Sequence, residues 1–406
     1  MLAILPCWPG CYTPCLCWSL QLSGGRGSKV PKKAFLIIII FLLFQLCGCW
    51  DSQDLENLSF PLAAAYDVHS PGSADPSDPP AQPGNKLVDL TTLVPNLAPK
   101  TKLPVNVETL SGVTISDARQ RRGLTDADTY VTGMNQIIII GEELARCGLT
   151  PYMDSLLRDP TIPGSMYFAV AAGRSEDILK TPIKNYSNMG NFLVALFKGI
   201  QQRTFIPATR LEDFYRYQST GKNPVAPILE RKGERVIISG VAVFKKDRMV
   251  KKLTVEEGHD LVLLRGLNGR SYLPFSKRVN GSSYWGAVLV RNNRKVQYNQ
   301  NQQGHNFIIT VKLEGSLEEH SHQAPVTEEH LQEIGKTVEQ QVKTECETFI
   351  NKMQEEIKVD CIDISKYALA KNRRALEKSI DKPEFIQDAN IQVVVKVHLK
   401  NTGEIR

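Results

Sequence analysis

Residues 327–357 read TEEHLQEIGKTVEQQVKTECETFINKMQEEI. Leu331, Ile334, Val338, Val342, Cys346, Phe349, Met353 and Ile357 recur every three or four positions, one stripe of a long amphipathic helix. The steps drift from a strict heptad. The stripe therefore predicts a core helix lying across a sheet rather than a coiled coil. Upstream, Phe307, Ile309, Val311 and Leu313 alternate with Thr310, Lys312 and Glu314, the pattern of a half-buried strand. Downstream, a helix over about 364–380 precedes a closing strand through Ile391, Val393, Val395, Val397 and Leu399. Strands, a long helix and a further strand predict an α+β domain with a mainly antiparallel sheet packed by that helix.

Further towards the N-terminus, 235–244 and 248–253 read as a hairpin across Lys246 and Asp247. Thr254 and Glu257 have capping-box spacing for a helix through Leu261 and Leu264. Strands are expected at 287–290 and 295–298, with Asn292 and Asn293 as their turn. Pro224 and Pro227 mark a boundary near 221–233. Before it come short alternating elements, an α/β pattern. Buried strands are predicted at 137–140 and 167–172, and helices at 142–146, at 152–158 and at 188–202. Ser116 is read as the N-cap of another short helix. Strands at 60–68 and 86–94 flank a stretch with five prolines, read as a disordered loop over 68–85. The expected organisation is an α/β domain at 49–185, a small helical domain and linker at 186–233, and an α+β domain at 234–406.

The chain begins differently. Lys29, Lys32 and Lys33 precede an apolar run from Ala34 to Leu46, and Leu46-Cys47-Gly48-Cys49 follows. A basic cluster, a short apolar region and small residues before a cysteine make a lipoprotein signal peptide over 30–48, with Leu46, Cys47 and Gly48 as lipobox. Cys49 then carries a diacylglyceryl group and becomes the mature N-terminus. A membrane span needs about 20 apolar residues, and this run has 13. Residues 1–29 contain Cys7, Cys11, Cys15 and Cys17. No histidine accompanies them, so a zinc knuckle is set aside. Val30 can be read from a GTG start codon, with Gly24-Gly25-Arg26-Gly27 encoded by a ribosome-binding purine run. Residues 1–29 are therefore expected to be a non-translated or non-structural extension.

Residues 1–48 hold four basic groups and no acidic one, which leaves 45 basic and 43 acidic residues for 49–406. A net of +2 on 358 dispersed residues gives no reason to expect nucleic acid as a partner. Beyond Cys49 only Cys147, Cys346 and Cys361 remain, which argues for stability from packing rather than a disulfide framework.

Two groups of residues invite a chemical reading. Glu318, Glu319, His320, His322 and His330 are metal-ligand types, but they lie in a polar loop and a helix start without a fixed two-turn spacing. Glu256, Glu257, His259 and Asp260 occupy the first turn of a helix, where acidic side chains suit the macrodipole. Arg158 and Asp159 are read as an ion pair or a helix end. There is no phosphate loop, nucleophile elbow or HExxH. No catalytic residue, metal or cofactor is assigned.

Several stretches, in this order, resemble the Ger(x)C family, the lipoprotein C subunits of spore germinant receptors. Cys49-Trp50-Asp51 with Leu55, Glu56 and Leu58 is similar to the family's opening. Gly112 to Ala118, Ile139-Ile140-Gly141-Glu142-Glu143-Leu144-Ala145-Arg146 with Gly148, and Leu157-Arg158-Asp159 resemble its central motifs. Gly240-Val241-Ala242-Val243-Phe244 with Asp247 resembles the strand opening its C-terminal domain. The likeness covers essentially all of 49–406. The proline-rich loop is longer than the family pattern, and residues 1–29 have no counterpart. The resemblance implies a non-enzymatic subunit that assembles with A and B membrane subunits. It implies a lipid anchor on the outer face of the cytoplasmic membrane, the inner membrane of the spore. The other reading is an extracytoplasmic solute-binding lipoprotein of a transporter. That would want two βαβ lobes around a cleft.

Overall fold

Two sheets carry the architecture of this computed structural model. It describes residues 57–69, 87–96, 105–203, 206–220, 222–267, 269–279, 282–302, 304–321 and 326–401, together with Lys33. Residues Leu55–Arg406 form one compact unit. Apart from Lys33, the stretch read as a signal peptide with its lipobox, Cys49 and the proline-rich stretch beyond His69 lie outside the described residues, as does His322.

The first sheet has eight strands. Its centre is parallel: β2 (Ala63–Val68), β6 (Ile137–Ile140), β7 (Tyr167–Ala171) and β8 (Val225–Lys232). Antiparallel strands extend both sides, β3 (Val88–Pro95) and β4 (Val105–Gly112) on one, β9 (Arg235–Lys245) and β10 (Arg248–Leu253) on the other. A short parallel pair, β1 (Leu58–Ser59) and β5 (Thr129–Tyr130), stands apart. Every residue of β2, β6 and β7 is buried. The reason is that helices cover both faces. On one face Ile138, Ile140 and Phe168 pack with α1 (Ile115–Arg122), α2 (Glu142–Cys147), α3 (Thr150–Arg158) and α6 (Leu211–Ser219). On the other, Ile137, Ile139 and Ala169 pack with α4 (Ser175–Leu179) and α5 (Met189–Arg203). Phe168, Phe214 and Phe244 tie β7, α6 and β9 together, with ring centroids 4.4 Å and 4.9 Å apart along the chain of contacts. β8 and β9 pair from Val225↔Val243 to Lys232↔Arg235, so this sheet takes strands from both sides of residue 234.

The second sheet has the order β11 (Arg270–Val279), β12 (Ser282–Asn301), β13 (Gly304–His320), β14 (Asn390–Asn401). Its first two pairings are antiparallel and the last is parallel. The long helix is present as α8 (Glu328–Lys352), extended by a π-helical turn at Met353–Ile357. Thr327 caps it, and Ile334, Val338, Val342, Cys346, Phe349, Met353 and Ile357 are buried as the stripe requires. α7 (Val255–Arg265), α9 (Ser365–Leu376) and α10 (Pro383–Gln387) complete that layer. The fold is mixed α+β, as expected.

Three local expectations are corrected. Asn292 and Asn293 are not a turn, because β12 runs straight through them, pairing Asn292↔Leu313 and Asn293↔Lys312. The Asn292 amide is buried and donates to the carbonyls of Val262 and Leu263, so it closes the end of α7 instead. The hairpin turns ten residues later, at Asn301↔Gly304. The N-cap of α1 is Thr114, whose hydroxyl accepts from Asp117 N at 3.1 Å, rather than Ser116. Glu318, Glu319 and His320 belong to β13, not to a loop.

Candidate functional site

The carboxyl ends of β2, β6 and β7 meet at a buried polar cluster. Asp67 interrupts an otherwise apolar strand and is 3 % exposed. A carboxylate taken out of water must be hydrogen-bonded. Asp67 accepts from Ser175 N at 2.8 Å, Ser175 Oγ at 2.9 Å and Glu176 N at 3.0 Å, which ties β2 to the first turn of α4. Burial pushes its carboxyl up, and the Ser175 and Glu176 donors oppose that shift. Gly141 follows from the same carboxylate, since a Cβ there would stand 2.0 Å from Asp67 Oδ1. Gly141 N donates to Tyr66 O, and Glu142 N to Gly173 O, so three strand ends are joined.

A second ring of charges lies beside it, at the root of the β2–β3 hairpin. Arg174 donates to Asp89 at 2.9 Å and to Glu176 at 2.8 Å. Asp89 also accepts from Ser111 Oγ at 2.8 Å and lies 2.7 Å from His69 Nδ1. Glu176 accepts from Thr109 and Lys180. Burial works against the Glu176 carboxylate, yet Lys180, Thr109 and Arg174 hold it down at about 2. Burial likewise opposes the Arg174 charge, but Asp89 and Glu176 raise its pKa above the ordinary arginine value. These charges are matched pairwise and joined across β3, β4 and α4. The arrangement makes a clamp of paired charges at the base of the hairpin between β2 and β3.

The motif residues named from the sequence have structural work of the same kind. Leu144 and Ala145 are buried, while Glu142 pairs with Arg146 on its own helix and with Lys252 of β10. Gly148 has φ +110°, and a Cβ there would sit 3.1 Å from Asp247 Oδ2. Asp247 in turn accepts from Thr150 N at 3.0 Å and Thr150 Oγ1 at 2.7 Å, at the start of α3. Two motifs far apart in sequence therefore meet. Arg158 and Asp159 do not pair with each other: Arg158 bonds Asp154, and Asp159 bonds Arg119.

The second sheet holds the other candidate groups. His320 and His330 line a small cavity with Glu333 and Tyr284. Among the described residues no group of three His, Cys, Asp or Glu is placed to hold a metal ion. The capping box at Thr254 and Glu257 is formed, with Glu257 Oε2 accepting from Thr254 N at 2.9 Å. Asp260 faces α8 across this helix. Burial, with Glu345, Glu257 and Glu256 nearby, pushes its carboxyl up to about 7. Cys346 and Cys361 are buried thiols outside any disulfide, raised above the usual thiol range by burial, and Cys147 is exposed.

The residues of the polar clamp were not singled out from the sequence. One signal was available: Asp67 is an acidic residue inside a buried apolar strand, and such a group requires partners. Its partners Ser175 and Glu176 lie more than a hundred residues away.

Two family models match. Residues 51–231 match the spore germination protein N-terminal domain, and residues 239–403 match the spore germination B3/GerAC-like C-terminal region. YfkR of Bacillus subtilis (strain 168) is 26 % identical over 242 residues, covering 55 % of this chain and 58 % of that protein. Spore germination protein GerQC of Bacillus cereus is 21 % identical over 55 % of this chain and 57 % of its own length. The chain thus spans under two thirds of the length of both. Spore germination protein B3 of Bacillus subtilis (strain 168) is 22 % identical over 81 % of this chain and 86 % of that one. The crystal structure of the GerBC protein superposes with a TM-score of 0.54 at 16 % identity, over 78 % of this chain and 94 % of the other, which supports the fold. The chain belongs to the GerAC/GerBC-like family of spore germination protein C subunits.

Proposed function

We propose that the chain is the outward-facing lipoprotein subunit of a spore germinant receptor and acts by assembly with A and B membrane subunits. A diacylglyceryl group on Cys49 holds it at the outer face of the cytoplasmic membrane, the inner membrane of the spore. The observation that carries this reading is adjacency: the family match begins at residue 51, directly behind the lipobox at Leu46, Cys47, Gly48 and Cys49. Two acyl chains suffice for stable anchoring where one is marginal. Confinement to the membrane plane raises the local concentration of the chain near its partners, so weak contacts are enough for assembly. The polar clamp serves such a role by stiffening a surface rather than by turning over a substrate.

The test is a comparison of wild type with Cys49→Ala. The variant is expected to escape lipoprotein processing and to lose co-purification with A and B subunits, while its thermal stability is unchanged. An unmodified peptide spanning residues 48 and 49 in membrane-bound wild type would overturn the anchor. Undiminished partner recovery without the anchor would overturn the assembly mechanism. Substrate turnover by the isolated chain would replace the binding role with an enzymatic one.

A further inference from the structure

The second sheet has two unlike faces. Val288, Val290, Ile309 and Val311 point into the core against α8 and are buried. The residues between them point the other way: Arg291, Lys295, Ile308 and Lys312 are exposed, and Leu289 and Thr310 are partly so. Trp285 is 54 % exposed and Tyr272 is 48 % exposed on this outer face, one pairing with Ser276 and the other with Leu289. Further along the same face, Asn293↔Lys312↔Lys396 and Lys295↔Thr310↔Val394 form cross-strand rows, with Arg291 beside them. Glu314 lies among these cations and is bonded to Lys400 at 3.0 Å. Glu319 pairs with Ala287, two residues from Trp285 along β12. The face therefore has an aromatic end and a cationic centre.

We propose that this outer face docks on an anionic lipid surface, with Trp285 and Tyr272 at the headgroup boundary and Arg291, Lys295, Lys312 and Lys396 over the headgroups. Its cations complement an anionic surface, and its aromatic residues are of the types that favour a membrane boundary. Trp and Tyr favour the membrane–water boundary because one end of each ring system is apolar and the other polar. Lys and Arg near an anionic surface each strengthen binding about five-fold. On the anchored reading, the stem from residue 49 to residue 57 reaches at most about 30 Å, which keeps the body beside the bilayer. The docking face itself does not depend on that reading, and the test below omits the anchor.

The experiment uses residues 49–406 with Cys49→Ala and Trp50→Phe. Trp285 is then the only tryptophan. Thermal unfolding establishes that each variant is folded. Sedimentation with phosphatidylcholine vesicles, with and without phosphatidylglycerol, measures partitioning, and Trp285 emission reports its environment. Binding is expected only to the anionic vesicles, with a blue shift of Trp285. Arg291→Gln/Lys312→Gln/Lys396→Gln should lower partitioning on the order of 100-fold. Trp285→Ala should weaken binding without altering its dependence on anionic lipid. Equal binding to neutral vesicles, an unshifted Trp285 or an unaffected triple variant would overturn the proposal. Retention on polyglutamate without vesicle binding would also overturn it, and would assign the face to an acidic protein.

Discussion

The central strands of the eight-stranded sheet are buried on both faces, whereas among the described residues the four-stranded sheet is buried on one, and the two leave different marks on their strands. In β6 four consecutive isoleucines are all buried, because adjacent side chains enter separate cores, Ile138 into one and Ile139 into the other. In β13 the neighbours Ile308 and Ile309 differ: Ile309 is fully buried and Ile308 is 38 % exposed. A doubly covered sheet cannot carry a polar residue cheaply on either side of a central strand. Asp67 is the exception in β2, β6 and β7, and it takes three donors there. The singly covered sheet places charged residues such as Arg291, Lys295, Lys312 and Lys396 at alternate positions, and these are exposed.

The largest expected effect comes from testing that difference directly. Ile138→Asp, Ile139→Asp and Ile309→Asp should each cost more than about 5 kcal/mol, since each buries a charge without a partner. Ile308→Asp should cost less than about 1 kcal/mol, because its side chain points to the open face. Urea denaturation of the four variants measures this. A tolerated Ile138→Asp or Ile139→Asp would break the claim that both faces of the first sheet are closed.

A smaller effect sharpens the same contrast for carboxylates. Asp67→Ala leaves the Ser175 and Glu176 donors without their acceptor and should cost about 3 kcal/mol. Glu314→Ala on the open face should leave the urea midpoint unchanged, because its partner Lys400 is solvated. Equal loss from both substitutions would mean that burial does not separate them.

The smallest expected effect is a gain in stability rather than a loss. Asp260 has a folded pKa of about 7, above the value of about 4 for an unfolded aspartate. The folded state therefore binds this proton more tightly. Its contribution is complete below about pH 4 and is lost as pH rises through 7. Asp260→Asn should match wild type near pH 4 and be more stable by on the order of 2 kcal/mol at pH 8. Unfolding curves of both proteins across that range check it. An unchanged difference between pH 4 and pH 8 would show that Asp260 does not titrate in the gap between α7 and α8.

Much of this fold was legible because its signals are short-range. The stripe of α8, the runs of β6 and β7, the alternation of β13 and the Thr254 capping box each depend on residues within a few positions of one another. The misread turn at Asn292 has the opposite cause. An asparagine pair between two apolar runs has turn chemistry, and nothing nearby reveals that its amide will meet the last carbonyls of α7. The clamp was hidden for the same reason: Arg174 and Asp89, or Ser175 and Asp67, have no sequence relation to each other. Gly141 and Gly148 stood out as motif residues, but the carboxylates that exclude a side chain there come from Asp67 and Asp247.

Local chemistry along the chain was thus enough for element type, for the α+β class and for the family resemblance, because periodicity, capping and motif order are properties of neighbouring residues. The pairing of β8 with β9 across Gly233, the parallel addition of β14 beside β13, the clamp at the ends of β2, β6 and β7, and the open cationic face of the second sheet were settled by tertiary packing. Each of these depends on which distant surfaces bury one another. Burial is a property of the assembled layers, and no single stretch of the chain contains it.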